Sequence, residues 1–260
     1  MRYDKKFCGC WFRYRGVGKS TVAVNLAIAL ANFQNLKVGL LDADIYGPSI
    51  HKMLGITDKP TASKTKKMLP YEKFLIKAMS IGNMVPEDAA IVWRGAMASS
   101  AIKQLLNDVE WGELDFLIID LPPGTGDIQL SLCQTLKISG AVIVSTPQEI
   151  SLLDVRKAIN MFKKVNVPIL GTIQNMSFIE LNKRKSYLFG KDGVIEESKK
   201  QKLNFLAEIP ILHEIPESGD AGVPLTSKKN SSINEIFKKI ADKLVKSIDN
   251  NTSSEIKINN

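Results

Sequence analysis

The sequence predicts an α/β fold, a doubly wound, mostly parallel sheet with helices on both faces. Three observations carry this reading. Short runs rich in Val, Ile and Leu recur along the chain, helical patterns alternate with them, and aspartates stand where two of the runs end. Unbroken apolar runs suit strands covered on both faces. Alternation of strand and helix implies right-handed crossovers into one layered domain.

Taken in order, the strands are KVGLLDAD (37–44), LDFLIIDLP (114–122), GAVIVSTP (140–147) and VPILGTIQNM (167–176). Helices are expected over 20–32, rich in Ala and Leu, and over 96–107, where apolar residues recur at helical spacing. A third covers 151–165, with Leu152, Val155, Ile159 and Phe162 along one side, and a last one covers 232–248. The polar stretches 57–73 and 180–202 read as irregular loops. Residues 1–248 then make a single domain, with 1–15 atypical, and 249–260 (NNTSSEIKINN and the residue before) lack periodicity and read as a disordered tail.

Composition narrows the function. A chain of 260 residues with 44% hydrophobic content can bury one substantial core. No run of about 18 apolar residues occurs, so no membrane span is expected, and the start of the chain lacks a signal-peptide pattern. Three cysteines, Cys8, Cys10 and Cys133, are too few for a disulfide framework and point to a reducing, cytoplasmic setting. The net charge of +8 comes largely from scattered lysines without interleaved aromatic residues, which reads as solvated surface and makes nucleic acid an unexpected partner.

The chemistry begins at RGVGKST (15–21). Gly16, Val17 and Gly18 allow backbone N–H groups to approach phosphate oxygens. Lys19 supplies charge to the β- and γ-phosphates, Ser20 can ligate Mg²⁺, and Thr21 continues into the helix. Asp42 and Asp44 end one strand and Asp120 ends another, on the side where open α/β sheets bind ligands. Asp120, after four apolar residues, fits the carboxylate that holds Mg²⁺, and Asp44 fits the group that positions the attacking water. This makes Lys19, Asp44 and Asp120 the catalytic candidates, and Ser20 with Asp120 the metal candidates.

WGELDFLIIDLPPGTGD (111–127) resembles the hallmark of the Mrp/Nbp35 (ApbC-like) family of deviant-Walker P-loop ATPases. LLDADIYGPSIHKMLGI, VWRGAMASSAIKQLL and STPQEISLLDVRKAINMF resemble the same family, and together the likeness spans about residues 16 to 225. The resemblance implies an ATP- and Mg²⁺-dependent homodimer with nucleotide at or near the subunit interface. It also implies an iron–sulfur cluster, [4Fe–4S] in type, delivered to apoproteins. By the same likeness Asn175 reads the adenine and the segment 213–225 closes the base pocket. Two other classes stay open: a positioning ATPase of the MinD/ParA kind, for which the lysine-faced last helix would be the membrane contact, and a nucleotide-binding protein with impaired turnover.

Three departures accompany the resemblance. The family's loop has lysine and glycine where this chain has Tyr14 and Arg15, and Arg13 replaces the glycine that opens a G-x-x-x-x-G-K-[ST] loop. A bulky side chain there crowds the phosphate path, and arginine is no simple substitute for lysine. A local frame error is one account: codons permitted for 7–15, read one nucleotide later, spell Phe-Ala-Val-Ala-Gly-Ser-Gly-Thr-Gly. The nucleotide sequence tests it, and the idea fails if no one-base correction restores the glycines. The second departure is the C-x-x-C pair that family members often carry after N-M-S; NMSFIELNKRKSYLFG has none, so the cluster ligands are unknown. Cys8 and Cys10 share a strand face but read as buried residues, as does Cys133. Third, the small domain that precedes many bacterial members is not present, which reads as a fragment or a minimal form. His51 and His213 show no ligand spacing and read as surface or core residues. Trp93 and Arg94 lie by resemblance near the dimer interface.

Overall fold

The computed structural model describes residues 6–11, 16–84, 95–122, 124, 129–130, 133 and 138–256. In chain order it runs β1 (Lys6–Trp11), α1 (Lys19–Gln34), β2 (Val38–Asp42), α2 (Ile50–Met53), β3 (Tyr71–Lys73), β4 (Ile76–Ser80), α3 (Gly95–Asn107), β5 (Phe116–Asp120) and β6 (Gly140–Ser145). It continues with α4 (Glu149–Lys164), β7 (Ile169–Gln174), β8 (Ile179–Leu181), β9 (Arg184–Ser186), α5 (Gly193–Gln201), β10 (Phe205–Glu208), α6 (Glu214–Asp220) and α7 (Asn234–Ile256).

The main sheet has the order β10-β7-β6-β1-β5-β2-β4-β3. Its pairs are parallel except β3 with β4. The two-residue period of a strand assigns the core to two layers. Leu40, Ile118, Val142 and Val144 face one side, against α1 and the Phe237–Ile240–Leu244 stripe of α7. Leu41, Leu117, Ile119, Ala141 and Ile143 face the other, against Ile102 and Leu105 of α3 and Val155, Ile159 and Phe162 of α4. The expected α/β architecture is what these two layers build. β1 lies between β5 and β6, so its register brings Cys10 level with Asp120 on one neighbour and Val142 on the other.

Three regions differ from expectation. The stretch 180–202 is not an irregular loop. β8 and β9 form a hairpin, closed at Asn182 and Lys183 with φ of 51° and 62°, and α5 follows. Asn at the first position suits such a turn, while α5 buries only Val194, Glu197 and Ser198, too short an apolar signal to stand out. Within 57–73, isolated bridges join Met68 to Ala62 and Val109, and Tyr71–Lys73 forms the antiparallel edge strand. The last helix continues to Ile256, eight residues past its expected end, because 249–256 contain no glycine or proline to stop it. Its apolar stripe, Phe237, Ile240, Ala241, Leu244 and Ile248, is buried on the molecule's own core. No helix among the described residues is long and apolar enough to cross a membrane.

Candidate nucleotide site

The carboxyl ends of β2 and β5 lie side by side, with Asp42 paired to Asp120 in the register. α1 starts beside them. Gly18 caps it with φ 79° and ψ 25°, a left-handed conformation that glycine adopts without strain. A Cβ at Gly18 would also stand 2.2 Å from Asn175 Nδ2, so this position needs glycine twice over. The N–H groups of the first helical turn have no carbonyl four residues earlier in the helix to bond, and they point with the positive end of the helix dipole toward the cleft.

Lys19, Ser20, Asp44 and Asp120 meet at this point. Lys19 Nζ lies 3.1 Å from Asp44 Oδ2 and 2.9 Å from Asp120 Oδ1. Ser20 Oγ donates to Asp120 Oδ2 at 2.5 Å. Asp120 is fully buried, with its Oδ2 held by Ser20 and its Oδ1 facing the Lys19 ammonium. A cleft of about 360 Å³ opens here, lined by Gly16, Gly18, Lys19, Ser20, Thr21 and Asp44 together with Met53 and Met176.

Asp42 is a hub behind the cleft. Its Oδ2 accepts from Ser49 N, Ile50 N and Ser80 Oγ at 3.0, 3.0 and 2.8 Å. Its Oδ1 accepts from Asp44 N at 3.2 Å. The carboxylate thereby fixes the loop that carries Asp44. Burial still lifts the Asp42 carboxyl to about 7, helped by the charge of Asp120, against the hydrogen bonds from Ser80 and Ile50. Burial also raises Asp120, against the attraction of Lys19. For Lys19, burial works to lower the pKa, but the charges of Asp120 and Asp44 outweigh it and the pKa rises. Burial comes first for both aspartates, and around it the buried carboxylates outnumber the single ammonium among them, so the site holds an excess of negative potential. A divalent cation would relieve that excess, and the Asp120 carboxylate beside Ser20 Oγ offers oxygen ligands of the kind that Mg²⁺ takes.

The other sequence candidates fall out as follows. Val17 is buried, and its carbonyl accepts from Asn175 Nδ2 at 2.8 Å, so Asn175 buttresses the glycine turn. Asp220–Gly222, from the segment expected to close a base pocket, line a separate cavity with His51. His51 is buried, and His213 is exposed beside Glu214. Cys133 is buried, and burial pushes its thiol up to about 11, away from the thiolate a metal needs. Arg13, Tyr14, Arg15, Trp93 and Arg94 lie outside the described residues. Sequence reading missed Met53 and Met176 as lining of the cleft. It also missed Asn25 Oδ1, which accepts from both Thr226 N and Thr226 Oγ1 and ties α1 to a distant segment.

A glycine turn opening a helix, a lysine on its first residue, and strand-end aspartates facing it on a parallel sheet define a P-loop NTPase. Among family models, the one described as "ParA: NUBPL iron-transfer P-loop NTPase" matches residues 15–245. Over 236 residues the chain is 48% identical to the Arabidopsis thaliana protein called "Iron-sulfur protein required for NADH dehydrogenase, mitochondrial", covering 90% of this chain and 75% of that one. It is 46% identical over 231 residues to the "Iron-sulfur cluster carrier protein" of Aquifex aeolicus, covering 87% of this chain and 63% of the relative. A solved nucleotide-binding protein of Archaeoglobus fulgidus in complex with ADP superposes with a TM-score of 0.75 at 37% identity, over 86% of this chain and 88% of that one. The chain belongs to the NUBPL iron-transfer family of P-loop NTPases.

Proposed function

We propose that the protein binds Mg·ATP, hydrolyses it slowly, and uses the nucleotide state to carry iron–sulfur clusters to apoproteins as a homodimer. The observation that carries the nucleotide half is the Lys19 ammonium held between Asp44 and Asp120 at the mouth of α1. In this reading the turn from Gly16 to Thr21 cradles the phosphates and Lys19 neutralises them. Ser20 and Asp120 hold Mg²⁺, which when bound supplies charge stabilisation to the transferring phosphoryl group. Asp44 orients water, and its carboxylate becomes available when Lys19 turns to phosphate. Asn175 is assigned to the adenine by family likeness, with its Nδ2 committed to Val17 O.

The cargo half rests on relatives 44–48% identical that are called iron–sulfur cluster transfer or carrier proteins. With three cysteines in the sequence and no C-x-x-C pair after Ser177, the ligands of a [4Fe–4S] cargo on this chain are unassigned. Among the described residues no group of three or more His, Cys, Asp or Glu is placed to hold a metal. The cytoplasmic setting is proposed on the cysteine content, and the single domain over 1–248 on the continuity of the two-sided core. A positioning ATPase is disfavoured because the apolar face of α7 is spent on the core. Neighbours such as the Pyrococcus furiosus MinD, 21% identical with a TM-score of 0.71, show the fold alone.

The test has two arms. Steady-state ATP hydrolysis measured beside Lys19→Ala should show turnover only in the unsubstituted chain. Anaerobic reconstitution, followed by iron and sulfide analysis and transfer to an acceptor apoprotein, should show cluster uptake and release. A colourless protein that transfers nothing overturns the carrier reading and leaves the ATPase standing.

A further inference from the structure

The loop that carries Asp44 is folded around a single carboxylate. Asp42 accepts from Asp44 N through Oδ1, and from Ser49 N and Ile50 N through Oδ2. These three donors belong to the segment 42–50 itself, so the carboxylate and its loop close into one unit at the end of β2. The backbone pins the start of that unit, where Ala43 N donates to Asp120 O at 2.9 Å. The carboxylate at its centre is tied elsewhere. Ser80, at the end of β4, stands level with Asp42 in the register, and its Oγ lies 2.8 Å from Asp42 Oδ2. Among the described residues, Ser80 is the donor to Asp42 that comes from outside the segment.

Ser80 is built to point one way. It is buried, and it ends β4 in extended backbone ahead of a 3-10 turn, Ile81–Asn83. Its Oγ accepts from Gly82 N at 3.1 Å. Gly82 N can only donate, and Asp42 Oδ2 already accepts from two N–H groups, so the hydroxyl proton is directed to Asp42. His51 Nδ1, 3.3 Å from the same Oγ, then takes the donor role, which assigns the Nδ1–H tautomer. The ring lies against Gly82, where a Cβ would stand 2.4 Å from His51 Cε1. Two donors on its oxygen and one acceptor for its proton hold the Ser80 hydroxyl in a single orientation.

We propose that Ser80 is a positioning residue for ATP hydrolysis: it anchors Asp42 to β4, and through Asp42 it aims the loop that carries Asp44. The proposal rests on the reading of Asp44 as the group that orients water. Its consequence is selective. The phosphate turn belongs to α1 and keeps its shape without the Ser80 hydroxyl, whereas Asp44 loses its aim. Misplacing a reacting group by about 1 Å costs up to about 100-fold in rate, and losing one of the bonds to Asp42 should cost about 10-fold.

The experiment is a double-mutant cycle on the full chain, with Ser80→Ala, Asp44→Asn and the pair together. Ser80→Ala should lower kcat about 10-fold and leave KM and the calorimetric affinity for a non-hydrolysable ATP analogue within about 2-fold. On the Asp44→Asn background the same substitution should cost less than about 2-fold, because the group it aims is gone. Ser80→Thr keeps the hydroxyl and should recover most of the rate. Ser80→Cys fills the same space with a weak donor, should behave like Ser80→Ala, and takes its place in the cycle if that variant fails to fold. Equal losses on both backgrounds, a loss of affinity that matches the loss of rate, or an unimpaired Ser80→Ala beside a slow Asp44→Asn overturns the proposal alone. If Asp44→Asn turns over ATP as fast as the unsubstituted chain, the assignment of Asp44 fails first, and the proposal falls with it.

Discussion

The mouth of α1 and the β8–β9 hairpin are both polar, yet they are built in opposite ways. At the mouth of α1 every charge is buried and shared: Lys19 with Asp44 and Asp120, Asp120 with Ser20, Asp42 with four donors. On the hairpin the charges stand in water. Lys185 pairs with half-exposed Glu208 at 3.0 Å and lies 3.8 Å from the centre of the Phe178 ring, while Leu181 and Leu188 are exposed. The difference teaches where this chain tolerates change. A buried network loses several partners with one substitution, whereas an exposed pair contributes about 0–1 kcal/mol and can be exchanged. The hairpin follows Asn175–Met176–Ser177, where family members often carry the cysteine pair. Here a tight turn between Leu181 and Arg184 closes it.

Four substitutions sharpen or break that contrast. The largest effect is expected from Lys19→Ala, which removes the ammonium from the acidic cluster and should lower ATP turnover by about 100-fold or more. Turnover equal to the unsubstituted chain would mean that the cleft is not catalytic. Next, Asp44→Asn should lower kcat about 100-fold while nucleotide affinity, read by calorimetry, changes only a few-fold. A matching loss of affinity would instead assign Asp44 to binding.

Asp42→Asn comes third and reads out in pH. The folded-state pKa of Asp42, about 7, is raised above its ordinary value of 3.8. Its contribution to stability is therefore fully present below about pH 4 and is lost as pH rises through 7. The asparagine variant lacks this loss, so its Tm relative to the unsubstituted chain should climb between pH 5 and 8. A difference in Tm independent of pH would show that Asp42 is charged throughout. The smallest effect belongs to the hairpin. Lys183 adopts φ 62°, so Lys183→Gly should raise stability by about 0.5 kcal/mol without altering turnover. Thermal melts and the ATPase rate check both halves of that statement.

How much of this was legible in the sequence depends on how local the signal was. The runs that became β2, β5, β6 and β7 were visible because buried parallel strands are apolar at nearly every position. β4 and β10 escaped because Lys77 and Glu208 interrupt short apolar runs. Lys19, Ser20, Asp44 and Asp120 were legible as a motif and as strand-end aspartates, and the fold brings all of them together. What Asp42 does was not legible. Its donors come from a following loop and from Ser80 on a neighbouring strand, and register alone joins them. Met53, Met176 and the Asn25–Thr226 clasp depend on contacts between distant segments, which no local pattern encodes.

That clasp joins the two ends of the chain in time as well as in space. Asn25 sits one turn into the phosphate-binding helix, and the groups that satisfy its amide oxygen arrive 201 residues later. Asn32, further along the same helix, also reaches Thr226, through the carbonyl. While the chain is being synthesised from its amino end, this one clasp on the helix cannot close until Thr226 has emerged, long after Asp44 and Asp120. A chain that stops before Thr226 lacks these three hydrogen bonds to its first helix.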